Sequence, residues 1–436
     1  MAVSSFSHPP LRIGIAGLGT VGAGLVRLLH AHADLLEIRC GRPLVVTAVS
    51  ARNRNKLRDV DLANIRWCDN PVDLAKDPEI DVICELIGGS DGIAKQLVEA
   101  ALGAGKSVVT ANKALLAIHG ALLAAMAESK GVTLAFEAAV AGGIPTIKVL
   151  KESLASNKIT GIYGILNGTC NYILTTMRET GRDFAAVLRE AQRLGYAETD
   201  PSFDIDGIDA AHKLSILTSL AFGVTVNFPD VTIEGIRSVS ALDIQYAEEL
   251  GYRIKLLGVA QPTDYGIEQR VAPSLVPMAS PLAHVEGVTN AVIAEGDFAG
   301  KIVLTGPGAG AGPTASAVAA DLVDIACGRE THTFGIPCSQ LKSIAATPAD
   351  RKTGAYYIRL LVMDRPGVFA DIAACLRDEE VSIESAIQRG RAVNDAVPLI
   401  LTVHETGEMS MQRALAAIAA LSSVATPPVR FRIEAL

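Results

Sequence analysis

The feature that most constrains this fold is the alternation of short apolar runs with helical periodicity over residues 11–137. Between the apolar runs, residues 21–32, 93–104 and 114–129 carry apolar side chains at helical spacing. Such alternation predicts an α/β fold with a doubly wound, Rossmann-type parallel sheet and right-handed crossovers. The runs interpreted as strands are LRIGIAG, PLVVTAVS, DVICELIG, KSVVTAN and VTLAFEA.

The rest of the chain predicts two further domains. With 436 residues, it is too long for one ordinary domain. Residues 142–305 mix helical stretches with strands, which is typical of an α+β domain. The predicted helices lie at 144–155, 170–179, 183–193 and 206–222, and the predicted strands include KITGIYGILNG and YRIKLLGVA. Residues 355–436 read as strand, helix, two strands, helix and strand, the order of a ferredoxin-like domain.

The predicted domain bounds follow from these changes of pattern. We predict a dinucleotide-binding domain at 1–141, a catalytic and dimerisation domain at 142–341 and a C-terminal regulatory domain at 355–436. A polar, proline-containing linker at 342–354 precedes the last of these. The helix after the Gly-rich segment could fold back on the first domain, so that residues 306–330 would complete it.

Composition excludes several classes of protein. The net charge is −8, and no basic stripe is present to neutralise nucleic-acid phosphates. The seven cysteines are scattered without a C-x-x-C pair, which favours reduced thiols and argues against a zinc site. The N-terminus lacks the features of a signal peptide, and no apolar run is long enough to span a membrane. We therefore expect a cytoplasmic protein with no membrane or nucleic-acid partner.

The stretch RIGIAGLGTVGAGLVRLL predicts a dinucleotide site. Gly17, Gly19 and Gly22 follow a strand directly and open a helix, together with Thr20 and Val21. The first glycine permits the tight turn, the second admits a pyrophosphate, and the third allows close packing of helix on strand. The alternative is a turn that serves packing alone.

The end of the second strand favours NADP(H) over NAD(H). NAD sites usually present an acidic side chain there for the ribose 2′-hydroxyl. This strand instead ends in Ser50-Ala51-Arg52-Asn53-Arg54, and Arg52 suits a 2′-phosphate. Arginines that only solvate a loop, or use of both cofactors, are the alternatives.

The strand 107–111 is followed by Lys113, at the edge of the sheet where ligands bind in doubly wound folds. An exposed lysine at a helix start is ordinarily a solvated residue. The small and apolar residues around Lys113 make that role less natural.

The acidic stretch YAETDPSFDIDGIDAAHK, residues 196–213, has three interpretations. A calcium loop of the EF-hand type fails, because glycine and glutamate do not fall at the required positions. A solvated helix start explains Asp204 and Asp206, but not the apolar helix that follows. Asp209 and Lys213 share one face of that helix, either as a structural ion pair or as the polar centre of a cleft.

Residues 191–213 resemble the homoserine dehydrogenase signature. The matching positions are Ala191, Gly195, Asp200, Pro201, Asp204, Gly207, Asp209 and Lys213. The glycine motif, TANKALLA, FEAAVAGGIP and NGTCNYIL extend the resemblance over nearly the whole chain. The family interconverts L-homoserine and L-aspartate 4-semialdehyde with NAD(P).

The resemblance implies roles for particular residues. Lys113 and Lys213 would be the catalytic lysines, and Asp209 would orient groups in the same site. Glu198 and Asp204 would contact the substrate amino acid. Asn167, Gly168 and Thr169 would line the substrate cleft, although a structural turn is an equal alternative; Gly88 and Gly310 are further cofactor candidates.

The loop EAAVAGGIP holds a monovalent cation, Na⁺ or K⁺, in the family. The residues implied here are Glu137, Val140, Gly142 and Ile144, and the alternative is a Gly-rich turn that packs two domains.

The stretch LLVMDRPGVFADIAACLRDEEVSIES resembles the ACT domain, an amino-acid-sensing module. Asp364, Pro366 and Gly367 lie at its strand-to-helix turn and could hold an effector carboxylate. The resemblance implies L-threonine as effector and a homodimer or homotetramer. A module kept only for dimerisation is the alternative.

Two other functions compete with the dehydrogenase. One is a non-catalytic ligand sensor, against which the presence of both Lys113 and Lys213 with Asp209 argues. The other is a different NADP-dependent aldehyde or amino-acid dehydrogenase with the same architecture.

Overall fold

The structure is a computed structural model that describes residues 8–389 and 395–436. The strands within these residues are, in chain order, β1 (Leu11–Ala16), β2 (Leu44–Ser50), β3 (Arg66–Trp67), β4 (Val82–Glu85), β5 (Ser107–Thr110), β6 (Leu134–Ala135), β7 (Ile159–Ile165), β8 (Thr232–Ile233), β9 (Tyr252–Thr263), β10 (Gly266–Pro277), β11 (Thr289–Gly296), β12 (Gly300–Pro307), β13 (Thr353–Met363), β14 (Ile383–Gln388), β15 (Ala396–Gly407) and β16 (Val429–Ile433).

The α-helices of the same residues are α1 (Thr20–Ala31), α2 (Ala33–Cys40), α3 (Asp73–Lys76), α4 (Ile93–Gly103), α5 (Lys113–Lys130), α6 (Thr146–Lys148), α7 (Gly168–Thr180), α8 (Phe184–Arg193), α9 (Ser202–Ile205), α10 (Ile208–Phe222), α11 (Ala241–Glu249), α12 (Ala311–Ala326), α13 (Val368–Asp378) and α14 (Glu408–Ala419). No helix among the described residues is long and apolar enough to cross a membrane.

The chain divides into two compact units. The first contains the chain up to Leu166, Ala211–Val231 and Thr289–Ile344, and the second contains Asn167–Ala210, Thr232–Val288 and the chain from Ala345. The division falls inside α10, between Ala210 and Ala211.

A six-stranded sheet of order β3-β2-β1-β4-β5-β6 forms the base of the first unit, with every pair parallel. Its central strand β4 is buried along its whole length, as expected when helices cover both faces. On one face α1 and α12 share an apolar core with β1, and on the other α4 packs on β4 and β5. The predicted Rossmann-type fold is confirmed.

The first unit also contains β7, β11 and β12, paired antiparallel in the order β12-β11-β7. Sequence analysis identified β7 but not the β11–β12 hairpin. β11 is mostly buried, whereas β12 alternates exposed with half-buried residues.

The second unit is built on an antiparallel pair of strands, β9 and β10. Their residues pair continuously, from Tyr252 opposite Pro277 to Thr263 opposite Gly266. Helices α7 and α11 contact β9. The last strand of the chain, β16, lies parallel to β10 through two residue pairs, Ser274 with Arg432 and Leu275 with Ile433.

The C-terminal elements β13, α13, β14, β15, α14 and β16 have the predicted βαββαβ order, and the ferredoxin-like prediction is confirmed. Their sheet runs β16-β13-β15-β14, all antiparallel. Side chains of β13 and β15 form a core with α13 and α14. Because β16 also pairs with β10, this module extends the sheet of the second unit.

Three local predictions differ from the structure. The helix predicted at 144–155 is the short α6 followed by a π-turn at Val149–Ser153, and the one at 206–222 begins at Ile208 after the separate α9. In the predicted linker, Ala345 and Thr347 form backbone hydrogen bonds with Ile267 of β10. That part of the segment therefore follows a strand, and β13 begins already at Thr353.

Candidate active site

The three glycines of the first turn differ in what surrounds them. Gly17 has φ +104°, and a Cβ there would lie 2.3 Å from the carbonyl oxygen of Leu86. A Cβ on Gly22 would lie 1.9 Å from the carbonyl oxygen of Gly17. Around Gly19, the N-cap of α1, nothing lies within 4 Å of the Cβ position. Close packing therefore requires glycine at positions 17 and 22. Gly19 instead leaves open space at the helix N-terminus, which is where turns of this kind bind a pyrophosphate.

A cavity of ≈ 440 Å³ opens beside this turn in the first unit. Its lining brings together Gly17, Gly19 and Arg52 from the predicted cofactor set. Thr20, Val21, Gly22, Gly88, Lys113 and Gly310 are not among its lining residues. The full lining is Gly17, Leu18, Gly19, Ser50, Ala51, Arg52, Asn53, Lys56, Arg58, Asp69, Pro71, Leu86, Ile87 and Ile93.

Sequence analysis missed two cations of this cavity, Lys56 and Arg58. Arg58 is a scaffold for the loop after β2, because Nε donates to the carbonyl oxygen of Leu18 at 3.0 Å and Nη2 to that of Asn53 at 2.7 Å. Lys56 and Arg52 are exposed. These residues belong to the basic run RNRNKLR, residues 52–58. The sequence of that run does not show which basic side chain holds the loop in place and which could bind a ligand.

A buried carboxylate organises the turns that precede Lys113. Glu85, at the end of β4, accepts hydrogen bonds from the backbone N–H of Ile87 at 2.8 Å and of Gly88 at 3.1 Å. Its second oxygen accepts the hydroxyl of Thr110 at 2.6 Å. The Leu86–Gly89 turn and the end of β5 are therefore fixed by one side chain, which sequence analysis did not identify.

Helix α5 begins at Lys113 because Asn112 caps it. The Asn112 side-chain oxygen accepts the N–H of Leu115 at 3.1 Å, and its amide donates to the carbonyl oxygen of Gly89 at 2.7 Å. Lys113 is half-buried at the first helical position. The cap thus sets the direction in which the chain presents this lysine.

In the second unit, Asn167 joins two of the predicted site carboxylates. Its Nδ2 donates to Asp204 Oδ1 at 2.8 Å and to Asp209 Oδ2 at 2.9 Å. Its Oδ1 accepts the N–H of Cys170 at 2.8 Å and so caps α7. The hydroxyl of Thr169 donates to the other oxygen of Asp204 at 3.1 Å.

This group of residues places two negative charges close together in a mostly dry environment. Asp209 is only 4 % exposed, and Asp204 is half-buried. Asn167 supplies one hydrogen-bond donor to each carboxylate, and such donors stabilise the ionised form. A cationic ligand group would add to that stabilisation.

Lys213 lies four residues beyond Asp209 in α10 and is 8 % exposed. Its Nζ donates to the carbonyl oxygen of Leu166 at 2.7 Å, which fixes the ammonium group. Burying a lysine side chain carries a desolvation cost, which the hydrogen bond to Leu166 offsets in part.

The remaining acids of the 196–213 stretch have separate roles. Asp206 forms an ion pair with Arg237, with Oδ2 accepting from Nη2 at 3.0 Å. Asp200 accepts hydrogen bonds from Ser202, side chain and backbone, and these lower the pKa of its carboxyl. Glu198 is exposed and lines a surface hollow with Gln192, Ala197, Thr199 and Asp200.

The loop predicted to hold a cation is strained and tightly packed. Ala141 and Gly142 have φ of +57° and +54°, so the chain turns sharply there. The Glu137 carboxylate accepts the N–H groups of Ile147 and Lys148, each at 2.9 Å. Burial, with the nearby Asp321 carboxylate, raises the pKa of Glu137 to about 7. Its side chain is therefore occupied, which leaves main-chain carbonyls as the candidate ligands. Among the described residues, no three His, Cys, Asp or Glu side chains come together as metal ligands.

The turn predicted to hold an effector joins β13 to α13. Gly367 is the N-cap of α13 with φ +91°, and the backbone N–H of Asp364 donates to the carbonyl oxygen of Asp395 at 3.0 Å. Pro366 lies between them and is exposed.

The dinucleotide turn, the parallel sheet and the ACT module together are typical of one class, the dinucleotide-dependent oxidoreductases that carry a C-terminal ACT domain. Three family models agree with it: "Homoserine dehydrogenase, NAD binding domain" matches residues 17–137, "Homoserine dehydrogenase" 145–323 and "ACT domain" 356–423. The chain belongs to the homoserine dehydrogenase family, and the predicted resemblance is confirmed.

Similar proteins span nearly its whole length. Homoserine dehydrogenase of Pseudomonas aeruginosa is 46 % identical over 435 residues, covering 98 % of this chain and 99 % of that protein. The crystal structure of a homoserine dehydrogenase from Thiobacillus denitrificans is 46 % identical, covers 98 % of both chains and has a TM-score of 0.92. A hyperthermophilic archaeal homoserine dehydrogenase in complex with NADPH is 28 % identical, covers 74 % of this chain and 99 % of that one, and has a TM-score of 0.61.

Proposed function

We propose that this homoserine dehydrogenase reduces L-aspartate 4-semialdehyde to L-homoserine in the biosynthesis of threonine, methionine and isoleucine, with NADP(H) as preferred cofactor. The observation that carries the proposal is that Asn167 donates to both Asp204 and Asp209, and that Asp209 lies in the helix α10 that also bears Lys213. Such an arrangement offers both carboxylates for a substrate ammonium group and a cation for a developing negative charge.

The carboxylates would hold the amino end of the substrate. L-Aspartate semialdehyde carries an ammonium group, and the Asp204 and Asp209 carboxylates, which Asn167 holds side by side, have the charge to bind it. The exposed Glu198 would contact the amino end of the substrate from the solvent side.

The lysines would act at the other end. The bound nicotinamide supplies a hydride to the aldehyde carbon, and negative charge then develops on the oxygen. A lysine ammonium within hydrogen-bond reach of that oxygen stabilises the charge and donates the proton, which contributes about 10²–10⁴-fold. Lys213 and Lys113 are the candidates, and the fixed ammonium group of Lys213 needs little reorganisation to serve.

The preference for NADP(H) rests on the charge of the cofactor cavity. Arg52, Lys56 and Arg58 contribute three cations to its lining, against the single carboxylate of Asp69. Asp69 Oδ1 accepts the indole N–H of Trp67 at 3.1 Å, so its charge is partly engaged. A 2′-phosphate suits this balance better than a neutral hydroxyl does. Arg52→Ala should weaken NADPH more than NADH, and equal losses for both cofactors would withdraw the preference.

We further propose L-threonine as a feedback inhibitor bound at the ACT turn of Asp364, Pro366 and Gly367. The first turn of α13 leaves backbone N–H groups available for a carboxylate, and the left-handed Gly367 aims the chain for this. A monovalent cation on the carbonyls of Glu137, Val140, Gly142 and Ile144, and a homodimer or homotetramer, belong to the same proposal.

The experiment is NADPH oxidation at 340 nm with L-aspartate 4-semialdehyde, with and without L-threonine. Turnover by the folded protein that falls as threonine rises is the expected result. No turnover from folded protein contradicts the reaction, whereas turnover indifferent to threonine removes only the feedback claim.

A further inference from the structure

A second cavity, of ≈ 220 Å³, lies in the second unit where the ACT strand β16 meets β10. Residues of β8, β10, β13, α14 and β16 line it, so the wall is continuous across the two parts of the sheet. Its lining is Thr232, Glu234, Glu268, Arg270, Ala272, Pro273, Ala349, Lys352, Tyr356, Glu408, Gln412, Arg430, Phe431 and Arg432.

Most charges in this wall are already paired. Arg270 holds Glu434 in a bidentate ion pair at 2.6 and 2.7 Å and also donates to Glu268 at 3.0 Å. Glu408 accepts from Arg430 Nη2 at 2.7 Å and from the hydroxyl of Tyr356. These groups form a rigid, charged frame and need no ligand.

Two groups of opposite charge in the wall have hydrogen-bonding capacity left for a ligand. Arg430 Nη1 is buried and has no hydrogen-bond partner among the described residues. Glu234, whose side chain is 50 % exposed, approaches Arg430 only to 3.9 Å. A buried donor without a partner is costly, and an oxygen acceptor would relieve that cost. Apolar atoms of Ala272, Pro273 and Ala349 lie in the same wall.

We propose that this cavity is a binding site for a small zwitterionic α-amino acid. Its carboxylate would pair with Arg430, its ammonium group with Glu234, and its short side chain would lie against Ala272 and Pro273. A ligand of one charge only would leave the group of opposite sign unmatched.

The site is separate from the ACT turn at Asp364. Tyr356 lies in the first half of β13 and Asp364 follows the last residue of that strand, and eight residues of strand span roughly 26 Å. It also lies at a narrow seam of the sheet, where β16 pairs with β10 through two residue pairs. A ligand that bridges Arg430 on β16 and Glu234 beyond β8 would hold this seam together, which couples amino-acid binding to the position of the ACT module.

The test is isothermal titration calorimetry of the full-length protein with glycine, L-threonine and L-homoserine, beside acetate and ethylamine as single-charge probes. Amino acids should bind and the single-charge probes should bind at least about tenfold more weakly, since each lacks one charge-assisted contact. Whether glycine, L-threonine or L-homoserine binds best then identifies the source of the ligand. No amino-acid binding, or acetate binding as tight as glycine, overturns the proposal.

Two variants locate the binding event. Arg430→Lys keeps a cation for Glu408 but loses the second donor, and Ala272→Leu fills the cavity without changing charge. Both should weaken glycine at least about tenfold, whereas Asp364→Asn at the ACT turn should leave glycine affinity unchanged. If Ala272→Leu retains its thermal stability and binds glycine like the parent protein, the ligand does not occupy this cavity.

Discussion

Replacing Asn167 by aspartate tests how the two site carboxylates are held. The asparagine gives one N–H to Asp204 at 2.8 Å, another to Asp209 at 2.9 Å, and accepts the N–H of Cys170 at 2.8 Å. Aspartate keeps the acceptor that caps α7, because Asn and Asp serve equally well at an N-cap. It removes both donors and adds a third negative charge.

The magnitude follows from the two lost contacts. A hydrogen bond to a charged group contributes about 1.5–3 kcal/mol, so the two together contribute about 3–6 kcal/mol. Water entering the altered site replaces part of this, and we expect roughly 2–3 kcal/mol of the loss to appear in kcat/KM, about 30–150-fold. The acid limb of the pH profile should also move to higher pH, because crowded carboxylates resist ionising together.

The assay is kcat/KM for L-aspartate 4-semialdehyde from pH 5 to 9, with thermal unfolding measured in parallel. Asp183→Asn is the matched control, since it makes the reverse exchange at the exposed N-cap of α8, where Asp183 accepts the N–H of Ala186 at 2.7 Å. The control should keep the parent kcat/KM. An Asn167→Asp enzyme with unchanged kcat/KM and pH profile would refute the idea that Asn167 organises the substrate end of the site.

Three further predictions concern the cofactor turn and the ACT seam. Gly19→Ala should fold normally, because its Cβ enters open space, but it should bind NADPH less tightly, since that space is where the cofactor would lie. Gly17→Ala should lower the melting temperature strongly, because its Cβ would lie 2.3 Å from a carbonyl oxygen. Equal melting temperatures for the two variants would contradict this. Glu85→Gln loses an acceptor for one of the three groups that donate to Glu85, so it should lower the free energy of unfolding by about 1–3 kcal/mol. It should also raise the Kd for NADPH. Denaturant unfolding measures the first effect and cofactor titration the second. Burial opposes ionisation of Glu408, but the Tyr356 hydroxyl and Arg430 lower its pKa to about 2. Its contribution to stability is therefore present above pH ~4.5 and is lost as the pH falls towards 2. The stability difference between Glu408→Gln and the parent protein should shrink over that range, and a constant difference would contradict the assignment.

The elements set by local pattern were predictable from the sequence. The βα alternation fixes the parallel sheet because apolar runs of four to seven residues can be buried only between covering helices. The order of the C-terminal elements likewise follows from period and turn residues. The β11–β12 hairpin was missed, since β12 is an alternating strand whose glycines and lysine resemble a loop.

The hydrogen-bond geometry of the candidate site was only partly predictable. The sequence identifies Asp209 and Lys213 as one face of a helix, because their spacing is local. It does not reveal that Asn167 reaches Asp204 and Asp209, 37 and 42 residues away along the chain, or that Glu85 reaches Thr110, 25 residues away. These contacts depend on which elements pack together, and a single polar residue at the end of a strand carries no local sign of its partner.

The most direct measurement compares kcat and NADPH affinity in Lys213→Ala and Lys113→Ala with those of the parent enzyme. If a lysine ammonium stabilises the developing alkoxide, each variant should lose most of its kcat, by about 10²–10⁴-fold for the proton donor, while the Kd for NADPH changes little. A folded Lys213→Ala enzyme that keeps nearly the full kcat would contradict the assignment of Lys213 to the chemistry.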